Sequence, residues 1–153
     1  MQIAIWLLVT VLAFQKDSAK SAPLQPIPYS HKTHLALGLT CGDCHTNPEP
    51  GDHMGFPATE KCTGCHSDIP KLDEFAKSNE PIPWARVYVL PAGVYWNHRS
   101  HLEARVKCEN CHGAVAQMDV IANVTNVTTM AGCVECHKQK KAGTGCGFCH
   151  EEK

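Results

Sequence analysis

The ten cysteines of this 153-residue chain all fall into Cys-x-x-Cys pairs, and a histidine directly follows each pair. Two thiols at this spacing can reach the two vinyl groups of one porphyrin, while the adjacent imidazole can bind its iron. The five strings therefore predict five covalently bound c-type haems. The predicted attachment residues are Cys41, Cys44, Cys62, Cys65, Cys108, Cys111, Cys133, Cys136, Cys146 and Cys149. The predicted proximal iron ligands are His45, His66, His112, His137 and His150.

Zinc sites or disulfides are the alternative for the same cysteines. A zinc ribbon needs paired Cys-x-x-Cys knuckles, but it gives no reason for a histidine after every pair. A thioredoxin-like motif needs a strand and a helix around it, and the sequence does not predict that context. Haem attachment explains both the paired cysteines and the histidines, so the haem interpretation is favoured.

Five further histidines lie outside the strings. A haem iron that is bound by one imidazole still has a sixth position to fill or leave open. The number of extra histidines thus equals the number of ligands that five six-coordinate irons require. The candidate distal ligands are His31, His34, His53, His98 and His101. The alternative ligands are Met54, Met118 and Met130, although methionine more often serves packing.

Four of these histidines form two pairs with helical spacing, His31 with His34 and His98 with His101. Residues three apart share one helical face, so one short helix can serve two haems. We expect each pair to serve the two strings that follow it. This leaves His53 for the last string, so we expect His53 to cross between the two halves of the chain.

Residues 31–45 and 98–112 form an internal repeat whose copies begin 67 residues apart. Two histidines, a leucine and the Cys-x-x-Cys-His string coincide when the copies are aligned. This pattern indicates a duplicated chain. It predicts a first module at 23–80 with two haems and a second at 81–153 with three, separated at a Pro-x-Pro segment.

The predicted fold is mostly irregular with short α-helices. Eleven glycines and ten prolines interrupt the sequence, and few segments keep a helical or strand period. The exceptions are 67–78, a short helix with Ser67 or Asp68 as its cap, and 84–90, an alternating strand-like run. Such a chain buries a modest core by itself, so we expect the haems to form the core and folding to depend on them.

The N-terminal apolar run, residues 3–14, is too short to span a bilayer and resembles the apolar region of a secretory signal. We expect residues 1–22 to be a signal peptide or an N-terminal anchor. The protein would then be periplasmic or lie on the outer face of a bacterial cytoplasmic membrane. The formal net charge is −1, and no basic stripe of the kind that binds nucleic acid is present.

The His-x-x-His pairs ahead of Cys-x-x-Cys-His strings, with high haem density, resemble the tri- and tetrahaem class III cytochromes c. Four stretches are also similar to the pentahaem cytochrome c subunit of alternative complex III, a membrane assembly that oxidises quinol. They read SHKTHLALGLTCGDCH, GFPATEKCTGCH, PIPWARVYVLPAGVYWNHRSH and VKCENCHGAVAQMDV. The resemblance implies a multihaem class III architecture and a relay of electrons toward periplasmic acceptors. A free periplasmic carrier or a small subunit of another oxidoreductase complex fits the chain equally well.

Saturated irons favour electron transfer over catalysis, because a haem enzyme needs an open position for its substrate. Paired histidine ligands also predict low potentials, since the methionine ligand that raises potential is missing. We therefore expect redox protein partners and no small-molecule substrate. The alternatives are a haem redox enzyme with one open site, or a polymerising cytochrome whose haem chain continues across subunits.

Overall fold

The computed structural model describes residues 23–121 and 126–151. Within these ranges the chain forms short helices joined by irregular segments, and it contains two 3₁₀ turns, Val115–Gln117 and Asn126–Thr128. The α-helices are α1 His31–Ala36, α2 Cys41–Cys44, α3 Thr59–Thr63, α4 Pro70–Ser78, α5 His98–Glu103, α6 Glu109–His112, α7 Met130–Lys140 and α8 Cys146–Cys149. The prediction of a mostly irregular chain with short helices is confirmed.

The expected strand at 84–90 is wrong. The only β pairing in the described ranges is an isolated antiparallel bridge between Val94 and His150. The side-chain amide of Gln25 binds Ala85 instead: it accepts from the Ala85 N–H at 3.0 Å and donates to the Ala85 carbonyl at 3.0 Å. A distant side chain thus satisfies the backbone groups that a neighbouring strand would have paired.

Helix α4 is shorter than the expected helix at 67–78. It begins at Pro70, and Ile69 is the residue before the first turn. The ring of proline suits this position, because the first-turn N–H has no partner within the helix. Asn79 ends the helix in a left-handed conformation with φ of 57°. Ser67 and Asp68, the expected caps, therefore precede the helix.

The protein core of the described chain is small. Only Ile27, Leu72 and Ile82 are buried apolar side chains, with Phe75 and Trp84 packed against them. Several large apolar side chains are exposed, and a domain of this length ordinarily buries about two thirds of its surface. The apolar residues outside this cluster are therefore available to contact a cofactor. This agrees with the prediction that haems form the core.

The two copies of the repeat adopt the same local structure. Helices α1 and α5 have equal length and begin at equivalent histidines. Ser30 caps α1 by accepting the Thr33 N–H at 3.1 Å, and Asn97 caps α5 by accepting the Ser100 N–H at 2.8 Å. A short polar side chain is favoured at this position since it satisfies a first-turn N–H.

The two copies also pack against each other reciprocally. Lys32 donates its backbone N–H to the Met118 carbonyl at 3.0 Å, and Arg99 donates its own to the Gly51 carbonyl at 3.1 Å. Lys32 and Arg99 are equivalent in the repeat, and Gly51 and Met118 are separated by the same 67 residues. Equal contacts exchanged in this way are the mark of an approximate two-fold axis.

The predicted signal or anchor at residues 1–22 lies outside the described residues. In the part of the chain that the structure describes, no helix has the length and apolar character needed to cross a membrane.

Candidate haem-binding site

Four of the five predicted distal histidines lie opposite a predicted proximal histidine. The ring centroids are 6.4 Å apart for His31 and His45, 6.0 Å for His34 and His66, 6.4 Å for His98 and His112, and 6.2 Å for His101 and His137. The His31–His45 and His98–His112 rings are nearly parallel, with interplanar angles of 6° and 3°.

This separation fits one metal ion between two imidazoles. A first-row metal binds imidazole nitrogen at about 2.0–2.1 Å, which places two opposed ring centroids roughly 6 Å apart. Each of the four histidine pairs therefore has the separation that one iron ion between two imidazoles requires.

Most of these imidazoles are oriented by a hydrogen bond from Nδ1 to a backbone carbonyl. Because a carbonyl oxygen only accepts, Nδ1 carries the hydrogen and Nε2 keeps a lone pair that can bind a metal. The carbonyl acceptors are Ser30 for His34 at 2.8 Å, Gly55 for His45 at 2.8 Å, Asp52 for His98 at 2.9 Å, Asn97 for His101 at 2.8 Å, Gly143 for His137 at 2.7 Å and Gly93 for His150 at 3.1 Å.

His31 differs from its equivalent in the second copy, His98. Its Nδ1 atom is buried and has no hydrogen-bond partner. The equivalent atom of His98 binds the Asp52 carbonyl. On the first copy, Ser30 instead donates to the side chain of Asp119, the residue that corresponds to Asp52.

An aromatic residue lies against each His-x-x-His helix. Tyr29 stacks on His34 with a centroid distance of 4.3 Å and meets His31 edge-on at 4.8 Å. Trp96 stacks on His101 at 5.4 Å and meets His98 edge-on at 4.3 Å. The sequence analysis did not select these two residues. Their signal is the repeat itself, because both lie two residues before the first histidine of their copy.

Burial favours the neutral form of three of the paired imidazoles, those of His31, His98 and His112, by lowering the pKa of each. Burial is the main cause of the lowered pKa of His31, and the nearby charges of His45 and His34 lower it further. Burial also lowers the pKa of His112, with further contributions from His98 and His45. Metal binding requires the neutral imidazole, so the environment favours the binding form. Burial, followed by the neighbouring Cys44 and Cys62, raises the pKa of Tyr29 to about 12, so its phenol stays protonated.

The cysteines of the strings are exposed or half-buried thiols. Haem attachment requires this access, because both sulfurs must reach the edge of a porphyrin. Among the described residues, no group of three or more histidine, cysteine or acidic side chains comes together as a metal site. The donor arrangement that the described residues show is one of opposed imidazole pairs.

His53 is the predicted distal ligand that the structure does not pair. Its side chain is exposed, and no ring contact joins it to His150. His53 lies near His98, since its charge helps lower the pKa of His98, for which burial is the main cause. His150 donates Nδ1–H to the Gly93 carbonyl, and the backbone N–H of Tyr95 binds the Cys149 carbonyl at 2.8 Å.

The last string borders an open depression of about 590 Å³ that Tyr95, Phe148 and His150 help to line.

The three methionines that were considered as alternative iron ligands have other contacts or are exposed. Met54 and Met118 accept hydrogen bonds through their backbone carbonyls, and Met130 is 74% exposed.

The cytochrome c3 family model matches residues 33–113, slightly more than half of the chain. The chain belongs to the cytochrome c3 family. No curated protein matches it. The matched range contains the first three strings and most of the predicted distal histidines. The opposed imidazoles of the structure agree with a family that binds haem. This member is therefore a multihaem cytochrome that binds c-type haems and transfers electrons to and from redox protein partners.

Proposed function

We propose that this cytochrome carries five c-type haems and relays electrons between a quinol-linked or another periplasmic donor and an acceptor protein. The observation that carries the proposal is the set of four opposed histidine pairs, with centroids 6.0–6.4 Å apart. When bound, each haem supplies a one-electron Fe(III)/Fe(II) couple. At the four paired strings the chain would bind the iron with two imidazoles, which would leave no position for a substrate and favours outer-sphere transfer.

The pairs support one ligand assignment. His31 serves the string that ends at His45, and His34 serves the string that ends at His66. On the second copy, His98 serves the string of His112. His101 likewise serves the string of His137. Helices α1 and α5 each supply two ligands, and Tyr29 and Trp96 hold the imidazoles in place by stacking.

His53 is proposed as the ligand of the fifth haem. The carbonyl of Asp52 accepts hydrogen bonds from both the backbone N–H of His98, at 3.4 Å, and its Nδ1. Residues 93–95, a few positions earlier, bind the last string. The loop that carries His53 thus docks a few residues after the segment that holds His150, and this proximity along the chain supports the proposed pairing.

The test of His53 is a His53→Ala variant of the holoprotein. We expect one of five low-spin haems to become high-spin and to bind carbon monoxide when reduced. His34→Ala is the matched control, because it removes a ligand that is already paired and should give the same change at a different haem. An unchanged low-spin spectrum in His53→Ala would show that the fifth haem uses another ligand.

The second candidate is a haem redox enzyme with one open site. The unpaired position of His53 and the open depression beside His150 favour this alternative. A reduced wild-type sample under carbon monoxide separates the two. Little binding supports the relay, whereas stoichiometric binding of one carbon monoxide per chain supports the enzyme.

The proposal also includes a boundary between two haem modules near residue 81. It further includes export of the chain, either as a free carrier or as a subunit of a complex. Intact-mass measurement of the purified holoprotein would give both the haem number and the cleavage of residues 1–22. The similarity to the pentahaem subunit of alternative complex III makes a quinol-oxidising membrane assembly one proposed partner. Purification from native membranes distinguishes that subunit from a free periplasmic carrier.

A further inference from the structure

The contact between the two repeat copies brings their first strings together. The reciprocal backbone bonds of Lys32 and Arg99 join the copies, and the side chains of the equivalent residues Cys41 and Cys108 lie close enough to interact. His45 also lies close enough to His112 for the two imidazoles to interact electrostatically. A contact between equivalent residues must lie near the axis that relates the copies. The strings that end at His45 and His112 therefore meet at the approximate two-fold axis.

Within each copy, one helix joins two neighbouring strings. Helix α1 presents His31 to the first string and His34 to the second, and Cys44 interacts with Cys62 across the same gap. Helix α5 does the same for the third and fourth strings. There, Cys111 interacts with Cys133 and Cys136. Each helix therefore joins the string at the axis to one further string, the second in the first copy and the fourth in the second copy.

The fifth string attaches to the fourth. Phe148, which lies inside the fifth string, meets the ring of His137 edge-on with a centroid distance of 5.7 Å. Cys133 of the fourth string and Cys149 of the fifth also lie within electrostatic range. The fifth string thus adjoins the fourth.

We infer that electrons pass the five haem-binding strings in the spatial order second, first, third, fourth and fifth, with the single crossing between modules at the Cys41–Cys108 contact. This inference rests on the proposed pentahaem relay. The route differs from the order of the strings along the sequence, because duplication placed two equivalent strings face to face. The ends of the route are the second string, covered by α4, and the fifth, where Phe148 is 57% exposed.

The direct test is anomalous diffraction at the iron edge from crystals of the wild-type holoprotein. We expect five iron peaks, with the shortest distance between modules joining the irons of the first and third strings. A shortest inter-module distance that involves the second string would overturn the inferred order. Fewer than five peaks, or irons that lack two histidines, would instead defeat the proposed function, so the two failures are distinguishable.

A matched pair of variants gives a spectroscopic test in solution. One variant lacks the second haem through Cys62→Ala with Cys65→Ala, and the other lacks the first through Cys41→Ala with Cys44→Ala. Paramagnetic resonance of the oxidised protein reports which remaining haems change. Loss of the second haem should disturb one neighbour, and loss of the first should disturb two. The reverse result would support an order that follows the sequence.

Discussion

The two copies of the repeat hold their proposed haem ligands in the same way but rest on different supports. Behind the first copy, Tyr29 contacts Trp84 at a centroid distance of 6.3 Å, and Trp84 packs on the buried cluster of Ile27, Leu72 and Ile82. Among the described residues, no buried apolar cluster lies behind the second copy. Local sequence therefore sets the ligand geometry, and tertiary packing differs between two sites with the same ligands.

The second copy depends instead on the loop after the first string. The carbonyl groups of Gly51 and Asp52 accept hydrogen bonds from the start of α5, and Arg99 forms an ion pair with Glu49. Gly51 is buried, and its φ of 97° is a conformation that side chains disfavour. Each copy therefore rests on a turn of the other module, as the bond of Lys32 to the Met118 carbonyl shows for the first, but only the first also has the buried cluster behind it.

The largest expected effect is the loss of a distal ligand. His31→Ala and His98→Ala should each convert one haem from low-spin to high-spin, because the imidazole opposite the proximal histidine is removed. Electron paramagnetic resonance and carbon monoxide binding measure the change. If the copies are equivalent in ligation, the two variants give equal high-spin fractions.

His98→Met is the control for this prediction. A thioether can replace the imidazole, so the variant should keep a low-spin haem and raise its reduction potential. A His98→Ala protein that keeps every haem low-spin would show that the second copy is not ligated as its geometry indicates.

The next effect should distinguish the supports of the two copies. Leu72 is 2% exposed in the small core, so Leu72→Ala should destabilise the protein by about 2–5 kcal/mol. Denaturant unfolding measures this change. Val89→Ala is the control, because Val89 is 78% exposed and its truncation should change stability by less than about 0.5 kcal/mol. Equal effects would mean that the buried cluster contributes little beside the haems.

Some features of the site could be predicted from the sequence because they are local or repeated. The three-residue spacing of His31 and His34 places both on one face of α1, and the same spacing in α5 follows from duplication. Tyr29 and Trp96 were predictable from the same alignment, although single aromatic residues give no chemical signal on their own. Short caps such as Ser30 and Asn97 also follow from residue type.

Other features depend on contacts between distant residues. The failed strand at 84–90 is an example, since the hydrogen bonds of Ala85 go to Gln25, sixty residues away. The reciprocal contacts of Lys32 and Arg99 also join segments that no local pattern links. Within this run Trp84 packs on Tyr29 and the small core, whereas Tyr88 meets the ring of His112 edge-on.

The turn at Gly51 gives a smaller and more specific test. A Cβ atom there would lie 2.8 Å from the Cβ of Arg99, so Gly51→Ala forces the turn away from α5. Gly38→Ala is the control, because Gly38 has a φ of 88° and open space around it. We expect Gly51→Ala to cost about 1–3 kcal/mol more than the control, since overpacking adds to strain.

The haem signals sharpen this test. Displacement of Asp52 removes the carbonyl that orients His98, so Gly51→Ala should change the resonance of the third haem alone. Gly38→Ala should leave all haem signals unchanged. A uniform change in both variants would show that the turn does not support the second copy specifically.

The smallest effect concerns the residue that follows each ligand helix. Gly38 follows α1 with φ of 88°, while its equivalent, Arg105, follows α5 with φ of 55°. A residue with a side chain pays about 1–2 kcal/mol for the left-handed conformation, and glycine avoids this cost. Glycine loses more conformational entropy on folding, however, which cancels about 0.5–1 kcal/mol of that gain. Arg105→Gly should therefore stabilise the protein by about 0.5–1 kcal/mol, and Gly38→Arg should destabilise it by a similar amount. Denaturant midpoints, at an unchanged dependence of the unfolding free energy on denaturant, measure both changes. Equal shifts of opposite sign would show that α1 and α5 both end with a residue held in the left-handed conformation.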